Sequence, residues 1–246
     1  MKMLIDHNAF IGEWPFYKLP RSTFSDLREI HNSLGISAGY VSSIKSIFYN
    51  DPYESEAELS ETLSGTQYKH VVTANPAMAE CPLTLARCIS DFDVRGIRIH
   101  TGYHGYNINS PVLLPVLDAC RKHGFPLFVT ARMHDERLTH MIHPELIDTE
   151  DLKKFLSDNR DIKILLCNFK MDEINGIREE LFTFDNVLTD VACFRGCLYG
   201  DSPRELYKKA VFGTDFPLYP VSVPLIMAEK ELTDEKFREE YLARTI

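Results

Sequence analysis

Short apolar or β-branched segments alternate along this chain with longer segments in which apolar residues recur at helical spacing. The short segments predict strands at 3–8, 36–43, 68–74, 95–100, 126–132, 162–168, 187–191 and 210–215. The longer segments predict helices at 23–34, 53–63, 82–90, 111–123, 149–157, 171–182, 203–209 and 233–243. Repeated strand and helix pairs of this kind are typical of parallel sheets.

Eight strands, each followed by a helix, fit one closed (β/α)8 TIM-like barrel, and residues 1–246 have the usual length for such a domain. An open, doubly wound sheet has a similar periodicity and stays an alternative. The barrel predicts a site at the carboxyl ends of the strands, where the irregular segments 12–21, 101–110 and 133–148 also lie.

Charge and cysteine content narrow the function classes. The net charge is −9, with a pI near 5.5, and no lysine-arginine stripe is present to bind nucleic acid. Met1–Asp6 reaches a charge too soon for a signal peptide, and no segment has the roughly 18 apolar residues of a membrane span, so we expect a cytoplasmic protein. The six cysteines, including Cys193 and Cys197, are expected to be buried free thiols.

Polar residues stand at the predicted strand ends. The barrel mouth is expected to hold Asn8, His100, Thr130, Arg132, Asn168, Asp190 and Asp215. Because side chains alternate along a strand, Asp6 and Gly213 should point inward one layer deeper. Buried charges need partners, which predicts one pair between Arg98 and Asp6 and another between Arg132 and Asp190 or Asp215.

Two of these residues are candidates for catalysis. Asp215 follows an apolar run and can act as a general base, although an aspartate there can also cap a helix or hold Arg132. His100 begins a loop rich in histidine, tyrosine and glycine that can contact a small polar ligand, and His104 lies on the same loop. A tyrosine-rich loop packed over the barrel is the structural alternative.

Further residues are candidates for substrate binding. Arg132 is the predicted anion anchor, because a guanidinium binds a carboxylate with two parallel hydrogen bonds. Trp14, the single tryptophan, can wall a pocket or cover the core. Asn8, Thr130, Asn168 and Asp190 complete the predicted binding set. The histidines at 134, 140 and 143 are expected to be surface or loop-packing residues.

Five segments in the same order resemble the amidohydrolase superfamily, specifically its amidohydrolase-related (type 2) branch of barrel hydrolases and decarboxylases. They are Ile5–Gly12, Val94–His100, Phe125–Val129, Ile164–Asn168 and Phe212–Pro217. The resemblance covers nearly the whole chain, and it implies a distorted (β/α)8 barrel with its site at the carboxyl face.

The metal ligands that this family carries are largely replaced. The resemblance places its two strand 1 histidines on Asn8 and Phe10, its strand 5 histidine on Thr130 and its strand 6 histidine on Asn168, whereas its strand 8 aspartate is Asp215. A one-residue offset should turn His7 to the opposite face of the strand. Zinc needs three or four strong ligands, so a tightly bound catalytic zinc is not expected.

Three functions follow. The first is a hydrolase of a small carboxylated or cyclic ester or lactone that works without a tightly bound metal. The second is a non-catalytic barrel that binds a small metabolite or another subunit. The third is a metal-dependent hydrolase with a rearranged ligand set, for which zinc is the alternative cofactor. The expected partners are a small-molecule ligand and, for assembly, a second copy of the chain in a homodimer.

Overall fold

The computed structural model describes residues 4–134, 144–194 and 203–246, and it contains a parallel eight-stranded sheet. The strands follow chain order: β1 Leu4–Ile11, β2 Ile36–Ser43, β3 Lys69–Thr73, β4 Val94–Ile99, β5 Leu127–Thr130, β6 Ile164–Cys167, β7 Val187–Asp190 and β8 Ala210–Val211. All eight predicted strands are therefore confirmed, with ends that shift by up to four residues.

The last strand returns to the first. The Asp215 amide donates to the Asn8 carbonyl at 2.7 Å, and the amides of His7 and Phe10 donate to the carbonyls of Phe212 and Phe216 at 2.8 and 2.7 Å. These bonds close the sheet into a (β/α)8 barrel, as predicted, and exclude the open-sheet alternative.

Helices cover the outside of the barrel. They are α1 Phe24–Ser33, α2 Lys45–Phe48, α3 Tyr53–Leu63, α4 Cys81–Asp91, α5 Thr101–His104, α6 Leu114–His123, α7 Thr149–Asp158, α8 Met171–Gly176, α9 Arg178–Thr183, α10 Ser222–Glu231 and α11 Glu235–Leu242. Within the described residues, 3-10 helices span Pro111–Leu113 and Pro203–Lys209. The segment predicted as one helix at 171–182 is divided at Ile177, and α10 was missed because its apolar residues surround the helix instead of forming one face.

Apolar side chains fill the lower barrel interior. This layer consists of Ile5, Ala38, Tyr40, Val71, Phe128, Leu165, Cys167 and Val211. Gly96 is required here, because a Cβ at that position would lie 2.6 Å from the Phe128 ring. A second, larger core packs the outer faces of the strands against the helices.

The strand β1 contains an irregularity that changes the direction of its side chains. Its register with β2 shifts between Asp6 and Ala9, as in a β-bulge. The His7 ring stacks on the interior Tyr40 at 5.2 Å, while Asn8 also contacts the barrel interior. The expectation that His7 lies on the face opposite Asn8 is therefore wrong, since the alternation of side chains is interrupted between these residues.

Because of the same irregularity, Asp6 does not share a face with Asn8 and instead points outward, toward His31 of α1. Its Oδ1 accepts the amides of Asn8 at 3.0 Å and Thr214 at 3.1 Å, and its Oδ2 accepts the Thr214 hydroxyl at 2.5 Å and lies 3.2 Å from His31 Nε2. The predictions of an inward Asp6 and of an Arg98–Asp6 pair are wrong. Asp6 instead joins β1 to the segment after β8.

Two findings concern the rest of the chain. Cys81, Cys88, Cys120, Cys167 and Cys193 are buried free thiols, as predicted, and Cys197 lies outside the described residues. In the described parts of the chain, every helix is too short or too polar to cross a membrane.

Candidate active site

A buried guanidinium occupies the centre of the barrel. Arg98, on β4, is fully buried and donates from Nε to Ser42 Oγ at 2.9 Å. Its Nη1 donates to Asn8 Oδ1 and to Thr130 Oγ1, both at 2.8 Å. The Phe10 and Phe128 rings lie 4.4 and 5.1 Å from the guanidinium carbon. The cation is thus enclosed by hydroxyl, amide and aromatic groups.

Two side-chain amides continue from this cation toward the carboxylates. Asn8 Nδ2 donates to Asn168 Oδ1 at 2.7 Å and to Asp190 Oδ2 at 2.6 Å. Asn168 Nδ2 donates to Asp215 Oδ1 at 2.9 Å and to the Arg132 carbonyl at 2.7 Å. The structure therefore brings together five of the predicted mouth residues: Asn8, Thr130, Asn168, Asp190 and Asp215.

Asp190 is a buried carboxyl group at the end of β7. Burial raises the pKa of Asp190 to about 7, against the opposing effect of hydrogen bonds from Asn168 and Asn8. Its Oδ1 accepts the backbone amides of Asn168 at 3.2 Å and Ala192 at 3.3 Å. This carboxyl group is held inside the network and is only partly ionised at neutral pH.

Asp215 lies in the turn that follows β8. Its φ of 56° and the φ of 60° at Asn168 are left-handed, a conformation that asparagine and aspartate tolerate better than most residues. The Asp215 carbonyl accepts the Leu218 amide at 2.9 Å, which fixes the turn. The turn presents the fully buried Asp215 side chain to the barrel mouth.

His100 is a buried imidazole at the end of β4. Both ring nitrogens lack a hydrogen-bond partner among the described residues. Its ring centroid lies 6.2 Å from those of Phe10 and Tyr103 and 5.9 Å from that of His104. Burial lowers the pKa of His100 well below its ordinary 6.5, with smaller contributions from the charges of His104 and Arg98. The imidazole is therefore neutral at pH 7 and offers one donor and one acceptor.

Tyr103 contacts the His100 ring and lies within the electrostatic field of Asp215. Burial raises the pKa of Tyr103, and the negative charge of Asp215 adds to this effect. The Tyr103 hydroxyl forms a 3.0 Å hydrogen bond with His134 Nδ1. The loop after β4 thus places the neutral His100 imidazole and the neutral Tyr103 phenol at the mouth, and the negative charge of Asp215 acts on Tyr103.

The outer rim of the mouth is aromatic. Trp14 is buried, and its ring centroid lies 5.4 Å from that of Phe16, 5.5 Å from that of Phe48 and 5.9 Å from that of His134. Trp14 therefore belongs to an aromatic and apolar cluster that includes Phe10, and its two alternative roles, the pocket wall and the cover of the core, stay predictions. His134 is buried in this cluster, whereas His140 and His143 lie outside the described residues.

Two predicted ligand contacts are engaged with the protein itself. Arg132 Nη1 donates to Glu173 Oε2 at 2.8 Å and to the Asn168 carbonyl at 2.6 Å, and its Nη2 forms a second bond with Glu173. Within the described residues its carboxylate partner is thus Glu173, on α8, and not Asp190 or Asp215. His104 Nε2 lies 2.9 Å from the Ile47 carbonyl, which ties α5 to α2.

The donor set does not fit a metal ion. Across residues 4–134, 144–194 and 203–246, no three His, Cys, Asp or Glu side chains converge as ligands. The amide oxygens of Asn8 and Asn168 accept N–H groups from Arg98 and Asn8, so they are already occupied as acceptors. The Arg98 cation beside them would also repel a divalent ion.

Sequence reasoning missed the roles of four residues that complete the site. Arg98 was predicted to be a buried scaffold residue paired with Asp6, and Ser42, Phe10 and Glu173 were not assigned to a site. The available signal was an arginine in the middle of the apolar strand Val94–Ile99, since a central-strand charge requires a polar interior. Which polar groups surround it depends on barrel closure, which the sequence pattern does not give.

The fold and the polar barrel mouth together define a parallel-barrel protein with an enzyme-like site at the carboxyl ends of its strands. A family model described as Amidohydrolase matches residues 57–239, more than half of the chain. The chain therefore belongs to this amidohydrolase family, as the sequence resemblance predicted. No curated protein matches the chain.

Solved structures share the whole fold at low sequence identity. An uncharacterised TIM-barrel protein from Bordetella bronchiseptica has a TM-score of 0.72 and 13% identity, covering 98% of this chain and 95% of that one. A 2,6-dihydroxybenzoate decarboxylase from Rhizobium has a TM-score of 0.68 and 12% identity, with coverages of 98% and 96%. A probable 2-pyrone-4,6-dicarboxylic acid hydrolase from Acinetobacter baumannii has a TM-score of 0.63 and 10% identity, with coverages of 98% and 99%. Their similarity establishes the fold.

Proposed function

We propose that this protein hydrolyses a small carboxylated or cyclic ester, such as a lactone, with Asp215 as the general base. The observation that carries the proposal is the arrangement of the mouth: Asn168 orients the Asp215 carboxylate, and the neutral His100 imidazole has ring nitrogens without a hydrogen-bond partner among the described residues. General bases need such an oriented carboxylate, and acyl transfer needs a donor for the developing oxyanion.

The reaction follows from these two groups. Asp215 takes a proton from a water molecule as the water oxygen forms a bond to the substrate carbonyl carbon. The neutral His100 donates its N–H to the resulting oxyanion, and this hydrogen bond is stronger in a site that excludes water than it is in bulk solvent. When the bond between the carbonyl carbon and the leaving oxygen breaks, the protonated Asp215 returns its proton to that oxygen. The products are a carboxylic acid and an alcohol, and the base is regenerated.

Two features support a small substrate. The site is enclosed by the Trp14 cluster, and its polar groups are buried. The structural neighbours named above include a decarboxylase and a probable hydrolase of small ring compounds that carry carboxylates. Esters and lactones are favoured over amides, because their leaving groups need less activation and the described residues do not form a metal site.

Hydrolysis of defined probes tests the proposal. The probes are dihydrocoumarin, 4-carboxyphenyl acetate and 2-pyrone-4,6-dicarboxylate, with product acid measured by pH-stat titration. Asp215→Asn should lower kcat by about 100-fold or more, and His100→Phe should lower it with little change in KM. The exposed Asp118→Asn is the matched control and should retain the parent rate.

Three outcomes would contradict the proposal. These are turnover that Asp215→Asn does not change, no turnover of any probe, or activity that appears in proportion to a stoichiometric metal in elemental analysis. Release of CO2 from 2,6-dihydroxybenzoate without ester cleavage would replace hydrolysis with decarboxylation.

A further inference from the structure

We propose that Arg98 is a positioning residue that acts through the side-chain amides of Asn8 and Asn168 to fix the orientation of the Asp215 carboxylate. The inference deepens the proposed function and rests on it for the role of Asp215 as base. It concerns a residue that does not itself meet the substrate.

The hydrogen bonds between Arg98 and Asp215 run in one direction. Arg98 donates to the oxygen of Asn8, Asn8 donates to the oxygen of Asn168, and Asn168 donates to Asp215. A guanidinium can only donate and a carboxylate can only accept, so the two charged ends set the orientation of both amides. If either amide rotated by 180°, N–H groups would face N–H groups at one junction and oxygens would face oxygens at the other.

Arg98 is too deep to act directly. The Phe10 ring covers one face of its guanidinium, with the ring centroid 4.4 Å from the guanidinium carbon. Phe10 belongs to the same cluster as Trp14 and Met133 at the mouth, so it separates the cation from the region where a substrate would bind. An effect of Arg98 on Asp215 must therefore pass through the two amides and through the electrostatic field.

The residues at the positions where the family resemblance places metal-binding histidines all contact Arg98 or continue its hydrogen bonds. Asn8 and Thr130 accept its N–H groups, Phe10 stacks over it, and Asn168 continues the hydrogen bonds that Asn8 begins. Four separate replacements thus build one environment. The Arg98 cation lies in the centre of the barrel, and the negative charge of Asp215, together with that of the partly ionised Asp190, offsets part of the cost of its burial.

Guanidinium rescue tests the inference in solution. Arg98→Ala should lower kcat on dihydrocoumarin by about 100-fold with little change in KM, because a misoriented base affects the chemical step. Millimolar guanidinium chloride should restore activity to this variant and not to the parent. Ser42→Ala is the matched control: it removes one hydrogen bond to the same guanidinium but leaves the path to Asp215 intact, so its loss should be much smaller.

Asn8→Leu provides a second variant in case Arg98→Ala does not fold. It keeps the arginine and interrupts the hydrogen bonds to Asn168, and it should reproduce the loss of kcat. An unchanged kcat in either folded variant, or a loss in Arg98→Ala that guanidinium does not reverse, would overturn the inference.

Crystal structures provide a measurement that does not depend on activity. In Arg98→Met the Asn8 amide should rotate and Asp215 should lose its hydrogen bond from Asn168, whereas Ser42→Ala should keep both. An Asp215 carboxylate in the same orientation in Arg98→Met would refute the positioning role. If the parent hydrolyses no probe, the proposed function fails, and these structures alone decide the role of Arg98.

Discussion

Asn168 and Asp215 contact each other across the barrel mouth with the same left-handed backbone conformation. Their side chains are joined by a 2.9 Å hydrogen bond, and their φ angles are 60° and 56°. A left-handed backbone is unfavourable for residues other than glycine. The candidate base Asp215 and the residue that orients it, Asn168, thus both have a backbone conformation that costs free energy, as residues in functional sites often do.

Substitutions at Asn168 separate its side chain from its backbone. Asn168→Ala and Asn168→Gly both remove the amide that holds Asp215, so both should lower kcat by about 100-fold. The left-handed backbone is unfavourable for alanine but not for glycine. The free energy of unfolding of the Asn168→Ala variant should therefore be about 1 kcal/mol lower than that of the Asn168→Gly variant. Urea denaturation of both variants measures the difference. A glycine variant that is the less stable of the two would contradict this account.

The Arg132–Glu173 pair should contribute to stability more than a surface ion pair does. Arg132 is almost fully buried, and two bonds connect it to the partly buried Glu173. Glu173→Gln should lower the free energy of unfolding by about 2 kcal/mol, because it removes the charge that offsets burial of the guanidinium. Glu179→Gln, at an exposed position on the next helix, should change it by less than about 0.5 kcal/mol. Equal effects of the two variants would exclude a special role for the pair.

The titration of His7 should oppose folding in acid. Burial lowers the pKa of His7 from 6.5 to about 4. Between these values the unfolded chain binds a proton that the folded protein excludes, so unfolding becomes easier as the pH falls from 6.5 to 4. The contribution reaches about 3 kcal/mol.

His7→Phe isolates this effect from the other titrating groups, and phenylalanine can keep the stack on Tyr40. Asp190, with its raised pKa, acts in the opposite sense over the same range in both proteins. In chemical denaturation, the free energy of unfolding of the variant should therefore increase relative to that of the parent as the pH falls from 7 to 4. Parallel curves would mean that His7 is protonated in the fold.

Gly213 is needed for the contact between Asn8 and Asp190. A Cβ at this position would lie 2.9 Å from the Asp190 Cβ and 3.1 Å from the Asn8 Cβ. Gly213→Ala should lower the free energy of unfolding by about 2 kcal/mol, since the packed interior has no room for the methyl group. Gly176→Ala, whose new atom would meet the Thr149 methyl group at 3.2 Å, is the control and should be nearly neutral. Thermal denaturation of the two variants tests the difference.

The sequence pattern was sufficient for the strand order and for the polar character of the mouth. Each strand is an apolar run, and the polar residues predicted to follow β6, β7 and β8, which are Asn168, Asp190 and Asp215, are connected by hydrogen bonds in the structure. The pattern failed at Asp6 and His7, because one register shift reverses the side-chain direction and leaves no mark in hydrophobicity. It also failed for the partners of Arg98 and Arg132, since these are set by contacts between strands and helices that are distant in the chain.

The contact between Asp6 and Thr214 spans 208 residues of sequence. Ends so far apart in the chain meet only after the intervening strands have been ordered, because closing so large a loop has a high entropic cost. During synthesis on the ribosome, the Asp6 carboxylate cannot accept its hydrogen bonds from Thr214 until Thr214 has been added to the chain. The junction that completes the barrel therefore forms only after all eight strands have been synthesised, and the site around Asp215 is assembled with it.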